Sequence, residues 1–175
     1  MGKITPHNPV KLVVGFIFKD LQAFNQAKLL LVRRFGKIDF VSPELPFNRT
    51  DYYREEFGDG LSRIFLSFRK LIRLEQIAGI KILTNNIERK LSSQNKRRVN
   101  IDPGYLDLAK LVLASTKDYV HRIYLDKGIY AETTLFYQGK SFQSWQWTYP
   151  DFRTSEYIDI FNQIREMYAE QTKKR

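Results

Sequence analysis

The chain has 175 residues, 43% hydrophobic and 14% aromatic, which is enough apolar material for a core and too much for a disordered chain. It holds no cysteine and two histidines, which excludes a disulfide framework and any cysteine-based zinc or iron–sulfur site. Lys and Arg outnumber Asp and Glu 29 to 19, for a net charge of +10 and a pI near 9.7, so anionic partners are expected: a small molecule or nucleotide, or RNA or DNA.

The longest apolar run, Leu12 to Phe18, is too short to span a bilayer, and MGKITPHNPVK has no signal-peptide core. No membrane association is expected, and the cytoplasm is the expected compartment. No Cys/His metal site is expected. A carboxylate-bound Mg²⁺ stays open as a cofactor, since that ion needs only one or two protein carboxylates beside a phosphate.

Lys11 to Phe18 is a continuous apolar run rich in β-branched and aromatic residues and reads as a buried central strand. Asp20 can cap the following helix, whose stripe is Phe24, Ala27, Leu31 and Phe35, and Gly36 suits its end. Ile38 to Val41 is a second strand, closed by Pro43 and Pro46, neither of which can donate to a ladder. Asn48 to Gly60 reads as a polar loop. Leu61 to Ile72 alternates, with Ile64, Leu66 and Phe68 on one face and Arg63, Ser67 and Arg69 on the other.

Leu74, Ile77, Ile80, Ile87 and Leu91 lie on one helical stripe with Thr84 among them, and Arg98 to Asp102 is a short strand closed by an Asp-Pro-Gly turn. This β-α-β-β-α-β order predicts a ferredoxin-like sandwich over residues 10–102. An antiparallel meander over 105–148 then extends the sheet, and a C-terminal helix over 153–171 carries Tyr157, Phe161, Ile164 and Tyr168. The class is α+β and the whole chain, 1–175, reads as one domain. Periodicity leaves residues 111–114 open between strand and helix.

In the meander, Asp126-Lys127-Gly128 reads as a three-residue hairpin loop joining His121–Leu125 to Ile129–Tyr137. If Leu125 pairs with Ile129, then His121 faces Thr133, Arg122 faces Glu132 and Tyr124 faces Tyr130. The bland reading of Arg122 and Glu132 is a surface ion pair of little energetic weight. The functional one is a carboxylate set beside a guanidinium on a ligand-facing sheet.

Long runs of this chain are recognisable: PVKL followed by Gly15, FGKID, TDYYREEFG, LSRIFLSF, IKILTN, VNIDPGYL, LASTKDYVHRIYL, GIYAETTL and WTYPDF. Together they resemble the uncharacterised prokaryotic domain-of-unknown-function family 4416 over nearly the whole length. The resemblance implies no catalytic residues.

The candidate chemistry concentrates between Asn100 and Leu135. His121 is the only histidine inside the expected fold and so the only histidine candidate for a general base near neutral pH. Its bland alternative is a half-buried strand histidine bonded to backbone. Ser115-Thr116-Lys117-Asp118 ahead of it could supply an orienting carboxylate and a phosphate-binding cation. Asp102 most simply makes a turn, yet could bind a metal or a ribose hydroxyl. Thr50, Asp51, Tyr52, Tyr53, Glu55 and Glu56 could form a loop that closes over a ligand, or Asp51 could simply cap a helix. Thr148-Tyr149-Pro150-Asp151 reads as a structural junction, with Trp145 and Trp147 covering an edge or an opening.

Phosphate-loop, dinucleotide, nucleophile-elbow and zinc-protease motifs are absent. Three functions follow. The leading one is a domain that binds or acts on a phosphorylated small molecule or nucleotide, with Lys110, Lys117, Arg122, Arg63, Ser115 and Thr116 on the phosphate and His121, Asp102 and Glu132 as acid–base groups. The alternative is a basic RNA- or DNA-binding module using Arg89, Lys90, Lys96, Arg97 and Arg98. The third is a structural adaptor.

Overall fold

Nine strands pair antiparallel in one open sheet, in the computed structural model that describes residues 2–48 and 54–173 apart from the side chains of Arg54 and Glu55. In chain order these are β1 (Lys11–Phe18), α1 (Leu21–Phe35), β2 (Ile38–Val41), β3 (Leu45–Phe47), α2 (Arg54–Phe57) and β4 (Leu61–Phe68). There follow α3 (Ile77–Leu91), β5 (Val99–Leu106), β6 (Lys110–Ser115), β7 (Ile123–Asp126), β8 (Ile129–Gln138), β9 (Ser141–Ser144) and α4 (Ser155–Lys173). The sheet order is β2-β4-β1-β5-β6-β8-β7, with β3 also on β4 and β9 also on β8. The loop residues Thr50, Asp51, Tyr52 and Tyr53, and the side chain of Glu55, lie outside the described residues. Among the described residues no helix is long and apolar enough to cross a membrane.

Both faces of the sheet are covered, which is why β1 is buried throughout and, apart from Lys11, carries no polar side chain. Leu12, Val14, Phe16, Ile64, Leu66, Phe68, Val99 and Ile101 face α1 and α3, where Phe24, Leu31, Ile77 and Ile87 are buried against them. Asp20 starts α1 by accepting from the Ala23 N–H at 3.0 Å, a bond that holds its carboxyl below the ordinary range. Gly36, at φ 85°, ends it. On the opposite face Val13, Phe65, Leu106, Leu111 and Leu135 meet Tyr157, Ile160, Phe161, Ile164 and Tyr168 of α4. Arg63 belongs to this second face, the one read from alternation as polar. It is only 3% exposed, because α4 and the turn before it cover it.

Three local expectations are corrected, and one left open is decided. Asp102-Pro103-Gly104 is not a turn: β5 runs through it to Leu106 and pairs with β1 along its whole length. Gly104 serves close approach instead, since a Cβ there would lie 2.4 Å from the Val112 carbonyl oxygen on β6. Residues 111–114 are strand, paired with β5 and β8. Pro46 sits inside β3, tolerated because β3 is an outer strand lying only against β4. Finally, Asp126 and not Leu125 pairs with Ile129, closing a two-residue turn in which Lys127 (φ 52°) and Gly128 (φ 76°) both have positive φ. Leu125 is the irregular residue, Tyr124 still faces Tyr130, and His121 and Arg122 precede the strand in a turn.

Candidate functional site

The sheet forks between β5 and β6. The two strands pair only from Gly104–Leu106 to Leu111–Leu113, then part. An opened strand leaves backbone groups unpaired, and each must find a partner when buried. In β5 those facing away from β1 belong to alternate residues, Val99, Ile101 and Pro103. Two side chains from α3 satisfy Ile101: Glu88 Oε1 accepts from its N–H at 2.6 Å and Lys81 Nζ donates to its carbonyl at 3.1 Å. Pro103 has no N–H to satisfy. A cavity of about 450 Å³ fills the fork.

Lys81, Asn85 and Glu88 come to this cavity from one face of α3, spaced i, i+4 and i+7. Asn100 and Asp102 come from β5, and Ser115, Thr116 and Lys117 from the end of β6 and the turn after it. Arg63 reaches in from β4 by crossing over β1 at Gly15, where a Cβ would stand 3.0 Å from its Nη1. Its guanidinium bonds Asp102 Oδ2 at 3.5 Å and Asp151 Oδ2 at 3.2 Å, over the rings of Phe47 and Phe65. Asp102 Oδ2 also accepts from Asn100 Nδ2 at 2.7 Å, and Lys81 Nζ stands 3.6 Å from Oδ1. Burial pushes the Glu88 carboxyl above its ordinary pKa, although Lys81, the Ile101 N–H and Arg97 oppose it.

Arg122 is the most constrained side chain of the site. Nε and Nη2 both bond Glu132 Oε2 at 2.8 Å; Nη1 donates to Ser115 Oγ at 2.8 Å and to the Lys117 carbonyl at 3.1 Å; Nη2 also reaches Tyr149 Oη at 3.2 Å. With five N–H groups and five bonds, the guanidinium has no donor left for a ligand phosphate. The Arg122–Glu132 contact expected from sequence is present, yet it is buried, with side chains 3% and 2% exposed, and not the surface pair of the bland reading. His121 Nε2 lies 3.1 Å from the same Glu132 oxygen and its ring stacks on Trp147 at 5.6 Å, so it supports Glu132 from behind and does not line the cavity. Trp147 in turn stacks on Trp145.

Lys110 sits at the far end of β6, 3.0 Å from Asp107 and outside the cavity. Of the basic group at 89–98, Arg97 points inward to Glu56, Glu88 and Asn100, holding the Glu56 carboxyl below its ordinary pKa. Arg98 bonds Asp20 at 2.6 Å, and Arg89 bonds Asn86. Lys90 and Lys96 are exposed. Sequence reading missed Lys81, Asn85, Glu88 and Asp151. The available signal was a charged residue flanking the apolar stripe of α3 at Lys81 and again at Glu88. For Asp151 it was a carboxylate enclosed by Tyr149, Pro150 and Phe152. Among the described residues no three His, Asp or Glu side chains are grouped to hold a metal ion.

Comparison with curated proteins found no match, and comparison with solved structures found none. A family model matches residues 8–168, which include every strand and most of α4, and the chain belongs to that family, described as Domain of unknown function (DUF4416).

Proposed function

We propose that the fork cavity binds a phosphorylated small molecule or nucleotide. The observation that carries this is the fork itself. Closing β6 onto β5 would bury more backbone in regular pairing, yet Pro103, Glu88 and Lys81 stabilise the open arrangement around a space of about 450 Å³. That volume lies in the range of small-molecule sites, about 300–1,000 Å³. Lys81 and Lys117 supply cations, Ser115 and Thr116 hydroxyls, and Tyr119, Tyr149 and Phe152 apolar wall. Arg122 and Glu132 shape the phosphate end through Ser115 and the Lys117 backbone, with His121 buttressing Glu132.

The strand order β2-β4-β1-β5, with α1 and α3 on one face, supports reading the first part of the chain as a ferredoxin-like sandwich extended by β6–β9 and α4 into one domain. The RNA or DNA reading draws less support, since Arg97 and Arg98 are neutralised by carboxylates.

The test is thermal denaturation of the protein with mononucleotides and sugar phosphates. A ligand at a hundredfold excess over its Kd adds about 2.7 kcal/mol, or about 5–10 °C in Tm for a chain of this size. The shift is expected to vanish in Lys117→Ala and to survive Lys96→Ala. Absence of any shift, together with RNA binding that weakens steeply with salt, would overturn the proposal.

A further inference from the structure

Among the described residues four carboxylates face the cavity, and two of them, Glu132 and Glu88, are spent. Glu132 has its side chain 2% exposed and takes Arg122 and His121; Glu88, at 7%, takes the Ile101 N–H and Arg97; Asp151, at 12%, bonds Arg63 through Oδ2 and is less than half as exposed as Asp102. Asp102 differs. Its side chain is 26% exposed, Oδ2 is occupied by Asn100 and Arg63, and among the described residues Oδ1 meets only Lys81, at 3.6 Å. That distance is beyond a hydrogen bond, so the lone pairs of Oδ1 remain open to the cavity.

Two further groups flank that oxygen. Asn85 stands one helical turn from Lys81 on the same wall, and its carboxamide makes no hydrogen bond among the described residues. Lys81 has three ammonium protons, of which one goes to the Ile101 carbonyl. The three groups are thus an acceptor, a donor–acceptor and a donor. A phosphate is repelled from the Asp102 carboxylate and belongs at Lys117. An amine is repelled by Arg63 and Lys81, which stand 3.5 Å and 3.6 Å from that carboxylate. Neutral hydroxyls, each a donor and an acceptor, satisfy all three groups.

Resting on the phosphate reading of the cavity, we propose that the ligand is a phosphorylated polyol, a ribose or hexose phosphate, whose hydroxyls bind Asp102 Oδ1, Asn85 and Lys81. Specificity then resides on the α3–β5 wall and charge recognition at the β6 end.

The test is calorimetric titration of the full chain with ribose 5-phosphate, glucose 6-phosphate and butyl phosphate, which carries the phosphate and no hydroxyl. A sugar phosphate is expected to bind about tenfold or more tighter than butyl phosphate, the scale of a hydrogen bond to a charged group. Asp102→Asn is expected to erase the preference without weakening butyl phosphate, and Asn85→Ala to reduce it. Asn85→Ala removes a side chain with no hydrogen bond among the described residues, so it reports even if Asp102→Asn perturbs the fold. Equal affinity for sugar and butyl phosphates, or a preference that survives both substitutions, overturns the hydroxyl subsite and leaves the phosphate site standing. Failure of all three probes to bind overturns both.

Discussion

Replacing Arg122 by Ala separates a structural guanidinium from a ligand-binding one. The substitution leaves the Glu132 carboxylate, 1% exposed as a residue, with His121 at 3.1 Å and a 3.4 Å contact to Thr134 as its remaining side-chain partners among the described residues. It also removes the donors that hold Ser115, the Lys117 carbonyl and Tyr149. Breaking a buried ion pair from one side typically costs about 3–5 kcal/mol, because the surviving charge stays desolvated, whereas an exposed pair is worth about 0.2–1 kcal/mol. At about 2–4 °C per kcal/mol for a chain of this size, Tm should fall by about 6–20 °C. Urea unfolding followed by far-UV circular dichroism reads the free energy directly. Adding Glu132→Leu to Arg122→Ala should recover part of the loss, since the orphaned charge is then gone. A loss below about 1 kcal/mol, with ligand binding abolished, would refute the argument and return Arg122 to the role of a phosphate contact.

Two other outcomes follow from the fork. Gly104→Ala places a methyl group 2.4 Å from the Val112 carbonyl oxygen and 2.7 Å from Leu113 Cδ2, so β6 has to shift from β5. Denaturant unfolding should show a loss of about 1–3 kcal/mol or more, and an unchanged midpoint would mean that the strands do not meet there. Glu88 gives a pH signature. Burial raises its pKa in the folded state above the ordinary 4.5, so its contribution to stability is fully present below about pH 4.5 and declines as pH rises through the folded value. Wild type should therefore lose stability relative to Glu88→Gln as pH is raised from about 4.5 towards neutrality. A difference between the two proteins that is flat over that window would show that the carboxyl is not desolvated.

Much of the fold was written in short-range signals. Asp20 and Gly36 bound α1 because a carboxylate caps free N–H groups and glycine tolerates positive φ, both determined within a few residues. The stripes of α1, α3 and α4 and the run of β1 reflect helix and strand periodicity, and Phe24, Leu31, Ile77, Ile87 and Phe161 are buried as expected. Ile38–Val41 is a strand, and Tyr124 faces Tyr130. Where the reading failed, a distant element had intervened. Asp-Pro-Gly has the composition of a turn, but β1 pairs along all of β5 and overrides that preference. Arg63 alternates with apolar neighbours as a surface residue does, but α4, about a hundred positions later, covers its face.

The site divides along the same line. Sequence by itself placed the candidate phosphate and acid–base side chains, Arg63 apart, between Asn100 and Glu132, since they are close along the chain, and it put Arg122 beside Glu132, although from a hairpin register that the structure corrects. Only the tertiary structure decided which of them share a cavity. That depends on β5 and β6 parting after Gly104, on Lys81 and Glu88 reaching from α3 to satisfy an opened strand, and on Arg63 passing over β1 where Gly15 has no side chain. Each of these joins residues far apart in the chain through backbone hydrogen-bonding needs and close contact, and a one-dimensional pattern carries neither.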